Sequence, residues 1–108
     1  MRMKYIVGLC REFEDGRWHE LPIMFPQALV HKEMAEQLTR IARKCDLMLY
    51  EIVGAGFCYV GDGEVVCEGR SESLSIKSRG ALDTAAFARC NSYESGTQIA
   101  PPEKYDRM

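Results

Sequence analysis

The chain lacks a long apolar run, a C-x-x-C pair and a marked excess of either charge, and it has only two histidines. Each absence removes a class of protein. No apolar stretch approaches the roughly 18 residues that span a bilayer, so no membrane association is expected. Met1-Arg2-Met3-Lys4 is basic, but Gly8 and Cys10 interrupt the apolar stretch behind it and Arg11-Glu12 close it. That is not the pattern of a secretory leader, and the expected location is the cytoplasm. Fourteen Lys and Arg against sixteen Asp and Glu give a net charge of −2. So mild a balance exerts no general pull on nucleic acid, which is not an expected partner, and falls far short of an acidic DNA mimic. H-E-x-x-H, P-loop and EF-hand patterns are missing, so no metal or cofactor is expected. The five cysteines are irregularly spaced. An odd count without C-x-x-C argues against a zinc ribbon or a thioredoxin-like motif, and the thiols read as reduced, buried small hydrophobes.

What is present is turn chemistry. A chain of 108 residues fits one domain with one modest core. Asp15-Gly16 and Asp62-Gly63 each sit between strand-like runs, and Asp-Gly is a strong hairpin signal because a type I′ turn needs positive φ at both central residues. Each hairpin is followed by a helical pattern. The reading is an α+β domain over residues 1–91 in the order ββαββα. Its sheet is four-stranded and mainly antiparallel, with both helices on one face. Residues 92–108, with Gly96 and Pro101-Pro102, read as an irregular tail, mobile unless a partner holds it, and dispensable for folding.

A two-residue turn at Asp15-Gly16 would set Glu14 opposite Arg17, Phe13 opposite Trp18 and Arg11 opposite Glu20, all favourable pairs. A two-residue turn at Asp62-Gly63 would set Cys58 opposite Cys67, whereas a three-residue turn would abolish that pair. Val30, Met34, Leu38, Ile41 and Cys45 make one helical stripe. Residues 46–53 fit either an extension of that helix or the next strand. Glu64 to Ile76 reads as a continuous strand with Ser71, Ser73 and Ser75 on one face. A short helix follows from Gly80 to Cys90, with Ser78 as a candidate cap.

Both faces of the first hairpin are apolar. Ile6, Cys10, Leu21, Ile23 and Phe25 fill one; Tyr5, Val7, Leu9, Phe13, Trp18 and Met24 fill the other. With both helices on one side, the second face is left for another protein surface, and a homodimer through those six residues is the expectation.

Chemistry is sparse. Cys10 and His19 could form a thiolate–imidazole pair, but no nucleophile signature surrounds them. The most unusual segment is Glu68 to Gly80, with four serines, three cations and two glycines. Ser71, Glu72, Ser73, Lys77, Ser78 and Arg79 are its candidate partner-binding residues, with hydroxyls and guanidinium groups suited to an anion or a peptide carboxylate. A polar, charge-protected strand edge accounts for the same residues. Ala55-Gly56-Phe57, the Asp-Gly turn, Glu72-Ser73-Leu74, Lys77-Ser78-Arg79 and the Phe25-Pro26 to Val30-His31 stretch together resemble small uncharacterised proteins of bacteriophages and prophages, over about residues 4 to 90. The resemblance implies an accessory protein acting on a host component and carries no activity or catalytic residues. The expected function is therefore a non-enzymatic interaction protein, a phage-encoded modulator of a host factor whose partner protein the sequence does not name. The alternative is a small ligand-binding domain or enzyme using Cys10, His19 and the Ser71–Arg79 segment.

Overall fold

The computed structural model describes residues 1–90, 98–100 and 102–105. It is an α+β fold. Strands β1 (Arg2–Glu12) and β2 (Trp18–Phe25) precede helix α1 (His31–Lys44). Strand β3 (Leu47–Gly61) and β4 (Glu64–Glu68) form the second hairpin, a small ribbon follows from β5 (Arg70–Ser71) and β6 (Ile76–Lys77), and α2 spans Ala81–Cys90. Two residues of β7 (Gln98–Ile99) and a 3₁₀ turn at Glu103–Tyr105 complete the described chain. The main sheet runs β4-β3-β1-β2-β7, every pairing antiparallel.

The second hairpin follows its turn residues. Asp62 and Gly63 both have positive φ (49° and 77°), so the type I′ geometry is met and Cys58 faces Cys67. Both thiols are free. The first hairpin departs from the sequence reading. Glu12 N–H donates to Arg17 O at 2.8 Å and only Gly16 of the loop has positive φ, so the loop is four residues, Phe13 to Gly16. Arg11 therefore faces Trp18, and Leu9 faces Glu20. The slip is two residues, which preserves the face each side chain occupies. Asp46, at φ 59°, ends α1 with left-handed backbone, and β3 begins at Leu47. Residues 47–53 are thus strand.

β1 is buried on both faces, from Tyr5 through Cys10 without a break. Successive strand residues point to opposite faces, so two layers must cover it. On one side Ile6 packs with Leu38 of α1, Phe25 and Ala55. On the other Tyr5 and Val7 pack with Ala86 and Phe87 of α2, the Tyr5 and Phe87 rings meeting edge to face at 5.8 Å. The helices lie on opposite faces, not on one. This removes the basis for the expected dimer surface. Tyr5, Val7, Leu9 and Trp18 are buried within the chain; of the six residues only Phe13 is exposed, and Met24 packs at the margin of the α2 cluster. Two register shifts in β3, opposite Val7/Gly8 and Leu9/Cys10, mark bulges that curl the sheet between its helices.

Helix α1 buries His31, Leu38 and Ala42, while Val30 and Ile41 stay 42% and 38% exposed. The buried stripe is rotated from the expected one, and it includes a histidine. The strand expected from Glu64 to Ile76 breaks at Gly69 and turns back at Ser75, both at positive φ.

The described part of the tail docks. Ile99 pairs with Trp18, and the Tyr105 ring stacks on Trp18 at 5.1 Å while its hydroxyl donates to Glu51 Oε1 at 3.3 Å. Residues 91–97, 101 and 106–108 lie outside the described residues. Deleting residues 91–108 should therefore destabilise the domain by about 2 kcal/mol, from lost stacking and the uncovering of Trp18. A thermal midpoint unchanged by the deletion would show the contact to be idle.

Candidate binding cleft

Among the described residues two polar groupings differ in chemistry. Beneath α2 lies a buried ionic network. Asp83 is fully buried, and Glu20 is 7% exposed. Asp83 Oδ2 accepts the Tyr5 hydroxyl at 2.5 Å and the Arg79 backbone N–H at 2.9 Å, and Oδ1 accepts Arg79 Nε at 2.7 Å. The phenol has one proton, given to Asp83, so the Ser78 hydroxyl 2.6 Å away donates to Tyr5. Glu20 bridges Arg79 and Arg89 at 2.8 and 2.7 Å. Burial, and then the bond to Asp83, push the Tyr5 phenol far above its ordinary range. Burial opposes the Arg79 charge, but its bonds to Glu20 and Asp83 outweigh this and hold the guanidinium above its usual value. With three donors on Asp83 and two cations on Glu20, this is a clamp fastening α2 to β1 and β2. Sequence reading missed it. The available signal was a carboxylate on an apolar stripe, Asp83 with Ala86, Phe87 and Cys90 at three-, four- and seven-residue steps.

The second place is open. A cleft of about 470 Å³ is bounded by the start of β1, the start of α1, β3 and the turn after β4. Arg2 and Lys4 reach it from alternate positions of β1, and Arg70 from β5. Phe57 of β3 supplies an apolar floor, with the Arg2 guanidinium 4.0 Å from its ring centroid. Lys4 Nζ donates to Leu29 O at 2.8 Å, and exposed Arg70 lies 3.5 Å from exposed Glu72. The α1 terminus opens on the cleft. Val30 gives no side-chain cap; Ser73 Oγ instead accepts the Lys32 N–H at 3.2 Å. His31 is buried between the Phe25 and Phe57 rings with Nε2 2.8 Å from Gly56 O. Burial depresses its pKa, so the ring is neutral at pH 7 and Nε2–H donates to that carbonyl. The lining holds three cations and one carboxylate, Glu72, at the positive end of a 14-residue helix.

The segment singled out from sequence is divided by the fold. Glu72 and Ser73 line the cleft. Lys77 is exposed on β6 outside it. Ser71 is buried and its Oγ accepts the Leu74 N–H, while Ser78 and Arg79 belong to the buried clamp. Arg2, Lys4, His31 and Phe57 were not anticipated, because they come from three distant stretches of chain. Cys10 and His19 do face each other across β1 and β2. The Cys10 thiol is fully buried, donates to Gly8 O, and is pushed up to about 12 by burial, the reverse of what a thiolate nucleophile requires. His19 Nε2 lies 3.4 Å from Glu12. Among the described residues no group of three or more His, Cys, Asp or Glu is placed to hold a metal ion, and no helix is long and apolar enough to cross a membrane.

At the far end of β1 the hairpin loop projects Phe13, 55% exposed, which lines two further clefts of about 360 and 430 Å³. Glu12, Glu14, Asp15 and Asp46 line them together with Arg11, and Arg17 pairs with Glu12 beside them, so carboxylates outnumber cations at this end.

Comparison with protein-family models, curated proteins and solved structures returns no match.

Proposed function

We propose that this protein acts by binding, and that the cleft at the start of α1 receives an anionic group of its partner. One observation carries the reading: Arg2, Lys4 and Arg70 converge, with the positive end of α1, on one open cleft whose lining has a single carboxylate. Cations around an apolar floor suit a phosphate or carboxylate carried on an apolar body. The role is that of a small interaction protein. The resemblance to bacteriophage accessory proteins supports a host factor as its target.

Titration with inorganic pyrophosphate, followed by backbone amide NMR, tests the cleft. Shifts should concentrate at His31, Lys32 and Arg70 and weaken as salt rises. Arg70→Ala should lower the affinity about fivefold, equivalent to about 1 kcal/mol for one exposed charge contact. Shifts confined to residues outside the cleft, or an affinity indifferent to Arg70, would overturn the proposal.

A further inference from the structure

The acidic tip and the cationic cleft sit at opposite ends of the same strand. Arg2 opens β1 and Glu12 closes it, a separation of roughly 33 Å at about 3.3 Å per residue. The longest extent of the molecule is 37 Å. No copy can seat its own tip in its own cleft. The two ends are nevertheless complementary. The tip offers an exposed ring, Phe13, flanked by exposed Glu14 and Asp15. The cleft offers the Arg2 guanidinium lying over the Phe57 ring, with Val30 and Arg70 also in its lining. The Arg11 guanidinium lies on the loop at Gly16 O (3.1 Å) and Arg17 sits 3.9 Å from Glu12, so the tip's charge is partly balanced at its base. Glu14 and Asp15 are the carboxylates beside Phe13 at its end. The alternative self-contact, pairing of two β4 edges, is disfavoured. The backbone N–H of Cys67 is already given to Thr84 Oγ1 of α2. Antiparallel self-pairing centred on Val66 would also set Glu64 against Glu68 of the other copy, like charge on like.

We infer that the cleft's ligand includes a second copy of this chain: the Phe13 tip of one molecule seats in the Arg2–Arg70 cleft of the next. The inference rests on the proposed cleft and names one occupant for it. The contact is heterologous, since two different surfaces meet, and an engaged pair keeps one free tip and one free cleft. The series is therefore open. A tip of this size buries less than about 1,200 Å², so the contact is weak, and it weakens with salt.

Sedimentation velocity on the full chain and two surface variants tests it. At low salt the wild-type mass should rise continuously with concentration, and raising the salt should reverse the rise. Phe13→Ser combined with Glu14→Lys removes the tip; Arg70→Glu spoils the cleft. Each variant alone should be monomeric with a wild-type thermal midpoint. Their equimolar mixture should form dimers and nothing larger, because only one competent tip type and one competent cleft type remain. A monomeric wild type at millimolar concentration, a wild type that stops at dimer, or a mixture that stays monomeric overturns the inference. Pyrophosphate binding by the tip variant separates the two proposals: retained binding leaves the cleft's function standing even if self-association fails, and absent binding removes both.

Discussion

Asp83→Ala should cost about 3–5 kcal/mol, because it takes the buried partner from a half-buried cation and leaves the buried Tyr5 phenol without its acceptor. For a domain with about 5–15 kcal/mol in total this approaches loss of the fold. The reason is geometric. Asp83 is fully buried and satisfies the Tyr5 hydroxyl, the Arg79 backbone and the Arg79 side chain together. Without it, Arg79 keeps only Glu20, which is shared with Arg89. Urea unfolding would show a lower midpoint, since stability falls linearly with denaturant. Combining Asp83→Ala with Arg79→Leu should be less harmful than the sum of the single losses, because the two side chains bond each other and each single change already breaks that contact. Strict additivity, or a loss under about 1 kcal/mol, would mean that α2 is held by Ala86 and Phe87 alone.

Gly56→Ala should be a second severe substitution. A Cβ at Gly56 would run into the Glu68 carbonyl oxygen and come within 3.2 Å of the Arg70 backbone nitrogen. Both are main-chain atoms, so relief requires moving the chain that leaves β4. Overpacking of this kind costs about 3 kcal/mol, at the upper end of the usual range. The displaced segment carries Arg70, and the Gly56 carbonyl holds His31, so pyrophosphate affinity should fall with stability. Gly8→Ala is a graded comparison: its Cβ would press 2.7 Å from methyl groups of Leu38 and Leu49, flexible side-chain ends that can yield. Gly61→Ala is the control, with nothing within 4 Å and an effect within about 0.5 kcal/mol. A midpoint for Gly56→Ala equal to that of Gly61→Ala would refute the close approach.

The shape of the cleft depends on this packing because the cleft has no element of its own. It is made where β1, α1, β3 and the Gly69–Ser73 turn end near one another. Gly56 lets the turn come close, and the Asp83 clamp fixes the residues just before α2, with Ser78 N–H donating to Gly69 O at 2.9 Å. The clamp and the cleft are thus joined through one short ribbon, β5 and β6.

Local chemistry by itself determined the α+β class, the turn of the second hairpin with two registers to choose between, and the sides taken by the residues of the first. Asp62-Gly63 needs no distant contact to turn, since its positive φ values are intrinsic preferences. Strand alternation sorts side chains by face whatever the loop length, which is why a two-residue slip left Ile6 and Tyr5 on their expected sides. Only the tertiary structure decided the rest. Cross-strand pairs such as Glu14 with Arg17 are worth at most about 1 kcal/mol. They yielded to a loop that sets Trp18 against Tyr50 and Tyr105. Two apolar faces on one strand are equally consistent with a partner protein or with helices on both sides, and periodicity carries no information about which side a helix crosses to. Asp83 and Glu20 were visible as carboxylates on apolar faces, but the Tyr5–Asp83 and Glu20–Arg79 contacts close over 78 and 59 residues of chain. The cleft is the extreme case. Its cations are ordinary surface residues in sequence, and only the close approach of chain ends around Gly56 brings them to one ligand-sized space.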